Sequence, residues 1–383
     1  MNILVVAAHG LNCHWLGPYG NEWVSTPAFD ALAVEAVIFD QHYADDPSPD
    51  GFARTCPQTL LQSLRAAGVV AALVDDRRHR PPGGRKWDHV VPTDPASHPT
   101  PGDALISAVE SALDRLPTGA PWILWIETDR LIPPWDFDAE TYQHYASATA
   151  RFGADDESLT DLPAPVTIPT SYCIAADEDL EWHRLHNSFA AALTSFDAEL
   201  DVLVEVWRER GLDQTAAWVL TSGYGWPLGE HGVIGPHTSR IHTELVHLPL
   251  MIRFPEHRQG MRRVSLFTQP ADLAPTLVDL IGIGKTNEGE SRSLMPLTSG
   301  PGRHIRELVR SATARASHIE RGLRTPEWSF LPAVHQTGEP QRLYRRPDDL
   351  WEVNDLAPRH PDECDRLAAL LDTPTTIAPE PSP

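Results

Sequence analysis

Residues 2–12 read NILVVAAHGLN, and the fold turns on how this apolar run ends. Seven residues without a charge predict a strand buried on both faces, as in a parallel sheet covered by helices. In such sheets, chemistry collects at the C-terminal strand ends. This strand ends at His9-Gly10, which offers one imidazole and no carboxylate.

Working outward, the first two-thirds of the chain alternates strand-like and helix-like segments. STPAFDALAVEA (25–36) predicts a helix with Thr26 as cap and Pro27 in its first turn. AVIFDQHY (36–43) predicts a strand, QTLLQSLRAAG (58–68) a helix closed by Gly68, and VVAALVD (69–75) and PWILWIE (121–127) further strands. An apolar rhythm near 3.6 residues from Glu181 to Arg210 predicts a long helix. AAWVLTS (216–222) and HLPLMIRF (247–254) predict strands, and QPADLAPTLVDLIG (269–282) a helix. Residues 75–101 and 129–170, rich in Pro, Asp and Gly, predict long loops. The expected organisation is a main α/β domain over 1–300, a small antiparallel sheet plus helix over 301–373, and a disordered tail over 374–383.

With 31 Lys and Arg against 53 Asp and Glu, the formal charge is −22, which sets the surface against nucleic acid and anionic membranes. Cys13, Cys56, Cys173 and Cys364 lie far apart, so neither a zinc ribbon nor a disulfide framework is expected, and reduced thiols in a cytoplasmic protein are. The opening apolar run is too short for a signal or membrane segment.

The order of segments resembles the sulfatases of the alkaline-phosphatase superfamily. The resemblance rests on LGPYGN (16–21), VSTPAFDALAVEAVIFDQHYA (24–44), TLLQSLRAAGVVAALVDD (59–76) with WDHVV (87–91), LTSGYGWPLGEHGVIG (220–235), LPLMIRFP (248–255) with QPADLAPTLVDLIGI (269–283), and QRLYRRPDDLWEVNDLA (341–357). It implies an alkaline-phosphatase/sulfatase-like fold, a mostly parallel sheet sandwiched by helices with a small C-terminal α+β subdomain. It also implies calcium, a formylglycine nucleophile and cations around a sulfate ester.

Position by position, the residues depart from that pattern. The first metal pair falls on His9 and Gly10, the second on Gly223 and Tyr224. The nucleophile position falls on Pro49, with Arg54 one residue late for the motif arginine, and Cys56 lies beyond it. Ser48 is a candidate substitute nucleophile, although Ser beside Pro also suits an ordinary turn. Asp75 and Asp76 stand in place of a lysine, with Arg77, Arg78 or His79 as substitutes, or else as a solvated charged loop. The middle histidine is replaced near Asp129 and Arg130, and the late lysine falls near Pro236 or His237. Glu230 and His231 survive from LGEHG.

Three readings are open. The first is a sulfatase-like pseudoenzyme without calcium or nucleophile and with no cofactor expected. A second is an active hydrolase of sulfate or phosphate esters with a rebuilt site, in which His9, His14, His231 and His237, with His79 and His242 nearby, bind zinc or another transition metal. A third is a scaffold or homo-oligomerisation module, with Trp15, Trp135, Trp226 and Trp328 at a covered pocket or an interface. A small anionic ligand is compatible with the first.

Overall fold

The computed structural model describes residues 1–53, 55–78, 85–153, 162–169, 173–175, 178–236, 240–284, 291–300, 305–314 and 318–373. The tail at 374–383, expected to be disordered, lies outside the described residues. The main sheet has eight strands: β1 (Asn2–Ala8), β2 (Val37–His42), β3 (Val70–Asp76), β4 (His89–Pro92), β5 (Trp122–Thr128), β6 (Ala216–Thr221), β7 (Leu250–Arg253) and β8 (Arg262–Thr268). Their spatial order is β4-β3-β5-β1-β6-β7-β2-β8, and all run parallel except β7. The continuous apolar runs β1, β5 and β6 sit at the centre because both their faces are covered, each by its own hydrophobic cluster.

Two segments differ from the loops expected. Residues 129–170 contain a helix, Ala139–Gly153, and residues 75–101 contain the edge strand β4. The cap of the helix Pro27–Glu35 also differs. Its free amides at Ala28 and Phe29 donate to the carboxylate of Asp197, each at 3.0 Å, while Thr26 Oγ1 accepts from Gly17 N. Asp197 belongs to the long helix Asp179–Glu209, so one helix caps another, and burial raises its pKa to about 6.

The C-terminal part is an antiparallel sheet of β9 (Val309–Ala314), β10 (Ile319–Arg324), β11 (Trp328–Leu331) and β12 (Arg342–Arg345), covered by the helix Pro361–Asp372. Among the described residues no helix is long and apolar enough to cross a membrane. Trp15, Trp135, Trp226 and Trp328 are all buried, so they fill the interior rather than form an exposed interface.

Candidate functional site

β1 and β6 pair in register from Asn2↔Ala216 to Ala7↔Thr221, which brings their C-terminal tips side by side. The pairing continues beyond the strands: Gly10 N donates to Tyr224 O at 2.9 Å and Trp226 N to Gly10 O at 3.1 Å. His9, Gly10, Gly223 and Tyr224 therefore share one place at the carboxyl end of the sheet, as their order in the sequence led one to expect. Its contents are aromatic. The His9 ring stacks on Tyr224, with centroids 5.3 Å apart and 6° from parallel, and meets Phe52 edge-on at 5.0 Å.

Phe52 arrives on the short helix Pro49–Ala53, the segment in which the resemblance places the nucleophile. That helix thus contributes a ring where a reacting group was sought. Ser48 is occupied by turn chemistry, its hydroxyl donating to Asp46 Oδ1 at 2.8 Å and accepting from Gly51 N at 2.9 Å. Cys56 is buried, and burial pushes its thiol up to about 12, which leaves no thiolate near neutrality. Arg54, His79 and His237 lie outside the described residues.

The glycines at the two tips are held by their neighbours. A Cβ on Gly223 would lie 2.7 Å from Phe52 Cβ and 2.9 Å from His9 Nδ1. A Cβ on Gly10 would lie 2.5 Å from the carbonyl oxygen of Leu131, at a φ of +91° that disfavours any other residue. Gly223→Asp is therefore expected to restore no ligand and to lower the unfolding free energy by about 2 kcal/mol or more through overpacking. Urea denaturation checks it, and an unchanged midpoint would mean that Phe52 yields freely.

Calcium takes several oxygen ligands. The two tips present one buried imidazole, lowered to about pKa 4 chiefly by desolvation and then by Arg77 and Arg85 against the opposing pull of Asp129, and one phenol that burial raises far above its ordinary range. His9 Nδ1 is buried without a hydrogen-bond partner, yet a single neutral nitrogen beside an unionised phenol is not a site for a hard dication. The donor set does not fit calcium.

The charged groups beside the tips are bound to one another. Arg77 holds Asp75 at 2.9 Å and also Glu127, which Arg85 holds at 2.5 Å. Arg78 N donates to Asp129 at 3.0 Å, and its guanidinium donates to the carbonyls of Ile132 and Pro134 at 2.9 and 2.6 Å. Asp76 accepts from Thr93 and Thr128 at 2.8 and 2.6 Å, and Arg130 pairs with Glu199 at 3.0 Å. Arg77 and Arg78 thus reach the expected neighbourhood, but as partners of buried oxygens rather than as a solvated loop.

The histidines divide into separate groups. Among the described residues the one grouping with metal-ligand spacing is His231, His242 and Glu244, whose ligand atoms lie within 4.8 Å of one another. His9 and His14 are not part of it. His14 instead packs on Trp351 at 4.3 Å, and both its ring nitrogens are buried without a partner. Glu230 is raised in pKa by burial and by the nearby Glu244, while His231 is raised to about 9 by its bond to Glu244, against the desolvation that would lower it. Sequence reasoning missed Phe52, Glu244 and Glu352, since nothing local marks the first as a plug or the others as partners of histidines.

A family model described as Sulfatase matches residues 117–283. Arylsulfatase K of Danio rerio is 25% identical over 208 residues, 53% of this chain and 39% of that protein. N-acetylglucosamine-6-O-sulfatase of Bacteroides thetaiotaomicron is 27% identical over 185 residues, 46% of this chain and 32% of that one. The similarity thus spans well under half the length of either curated relative. In fold, the phosphonate monoester hydrolase of Agrobacterium radiobacter superposes with a TM-score of 0.72 at 17% identity, covering 97% of this chain and 94% of its own.

Proposed function

The chain is a member of the sulfatase/alkaline-phosphatase-like superfamily, and we propose that it keeps the fold without the chemistry, as a sulfatase-like pseudoenzyme. The observation that carries this reading is Phe52 packed over Gly223 and His9. The space that a side-chain ligand at residue 223 would need is taken by a ring from the helix that should bear the nucleophile. Without an ion to polarise the ester oxygen, several kcal/mol of transition-state stabilisation are missing. Without an activated nucleophile, there is no covalent route either.

The nearby cations do not replace these parts. An anionic ester reaching Arg77 would have to displace Asp75 and Glu127, both buried and already paired, so a small anion is not the favoured ligand of this place.

The test is hydrolysis of aryl sulfate, aryl phosphate and phenylphosphonate monoesters, each with calcium, manganese or zinc added. The expected result is no turnover above buffer. Turnover that disappears in His9→Ala, with the fold intact by circular dichroism, would establish an active hydrolase instead.

A further inference from the structure

The side chains of His231, His242 and Glu244 meet where the loop after β6 approaches Glu352 of the C-terminal part. The geometry points to a transition-metal site of the zinc class at His231, His242 and Glu244, which ties that loop to the segment 242–244 over the support that Glu352 provides. It is independent of the superfamily's metal position and of any turnover.

Three features carry it. The first is spacing: one ligand atom from each residue lies within 4.8 Å of the others, and two imidazoles with a carboxylate are a donor set suited to zinc. The second is an unmet acceptor. Glu244 is 2% exposed, its Oε1 faces His231 Nδ1 at 2.8 Å, and its Oε2 is buried with no hydrogen-bond partner. A buried carboxylate oxygen in that state is costly unless something positive meets it.

The third is the support behind the histidines, all of it from Glu352. Its carboxylate accepts from His242 Nδ1 at 2.8 Å, and its backbone carbonyl accepts from His231 Nε2 at 3.1 Å. Metal-binding histidines are oriented in this way, the far nitrogen donating to a carboxylate or a carbonyl so that the near one keeps its lone pair. Both His231 nitrogens face acceptors, Nε2 the Glu352 carbonyl and Nδ1 the Glu244 carboxylate, so zinc at Nδ1 takes the place of the proton shared with Glu244; with Nδ1–H spent on the Glu352 carboxylate, His242 keeps Nε2.

The two rings lie face to face, 3.6 Å between centroids and 4° from parallel. An ion sits in the plane of the imidazole that binds it, so capture tilts one ring out of the stack. His231, with a fifth of its side chain exposed, is the side from which an ion enters.

The test uses the full chain without an affinity tag, stripped with chelator and titrated with Zn²⁺ against a chromophoric competitor. One equivalent is expected to bind and to raise the melting temperature. Glu244→Gln, close to isosteric, is expected to weaken that equivalent at least about tenfold, and Glu352→Gln to weaken it by about ten- to a hundredfold through the lost orientation. X-ray absorption on the zinc-loaded unmodified chain adds a readout that needs no variant. Two imidazoles at about 2.0–2.1 Å are expected in it. No stoichiometric binding, a bound ion with fewer than two imidazoles, or binding unchanged in Glu244→Gln each overturns the site. None of these outcomes bears on the hydrolysis assay, so the two readings fail separately.

Discussion

Glu352→Ala is expected to lower the unfolding free energy by about 3–5 kcal/mol, the usual cost of removing one partner from a buried, hydrogen-bonded charge network. Glu352 is 3% exposed and stands at a left-handed φ of +53° between Trp351 and Val353, both exposed. The chain turns this one residue inward while its neighbours face solvent. Its carboxylate accepts from Ser329 Oγ at 2.5 Å, His242 Nδ1 at 2.8 Å, and Thr243 N and Arg324 Nη2 at 3.2 Å each. Two of these donors belong to the C-terminal sheet and two to the main domain.

Alanine there would leave Arg324, 1% exposed, with its charge unanswered. Arg324 and His242 outweigh burial and hold the Glu352 carboxyl well below the usual range. By linkage, a depressed pKa contributes stability above the ordinary carboxylate range that is lost only as pH falls through the lower, folded value. The stability lost in Glu352→Ala should therefore be complete at neutral pH. Urea denaturation in the presence of chelator measures it, and a loss under about 1 kcal/mol would mean that the network behaves as a solvent-exposed ion pair.

The parts of the fold that sequence made legible are those where burial repeats along the chain. β1, β3, β5 and β6 are read from their apolar runs, and the helix Asp179–Glu209 from its periodicity, because one hydrophobic environment extends over many residues. β4 and β8 are edge strands of mixed polarity, so no run marks them. The helix Ala139–Gly153 hides between proline-rich flanks. A further helix, Pro101–Arg115, opens with a reciprocal Thr100–Asp103 cap, 3.0 and 3.1 Å, whose Thr-x-x-Asp spacing was a usable signal. At the site, the missing carboxylates were legible because they are a matter of residue type at a strand tip. What fills their place was not, since Phe52 reaches His9 across 43 residues and Glu352 reaches His242 across 110. Nothing in either local sequence specifies a partner that far away.

Acidification is expected to destabilise the protein steeply between about pH 6 and pH 4.5, before the carboxylates held low begin to titrate. Burial lowers His9 to about 4 and His42 and His186 to about 3, and it lowers His14 and His247 as well. In the unfolded chain each of these takes up a proton near pH 6.5. A depressed histidine contributes stability that is fully present above that ordinary value and is lost as pH falls toward the folded one. Some groups act the other way. Asp197, raised to about 6, and Glu230, also raised, hold protons in the folded state that the unfolded chain releases in the same interval. His231, raised to about 9, contributes stability that is complete below pH 6.5 and lost as pH rises through about 9, so it makes stability fall on the alkaline side only. His14, lowered, is opposed by the raised Asp30, Asp76 and Glu199; the four strongly lowered histidines against the two strongly raised carboxyls leave a net uptake of about two protons on unfolding, a slope of about 3 kcal/mol per pH unit. From pH 6 to pH 4.5 that removes about 4 kcal/mol, a large share of the about 5–15 kcal/mol by which such domains are stable. Urea denaturation from pH 7.5 to pH 4.5 measures the slope directly, and stability that stays flat from pH 6.5 to pH 5 would mean that the buried imidazoles are already charged in the folded protein. His42→Gln and His186→Gln should each remove about one proton from the slope, and His9→Gln the same unless the ring stack on Tyr224 fails first.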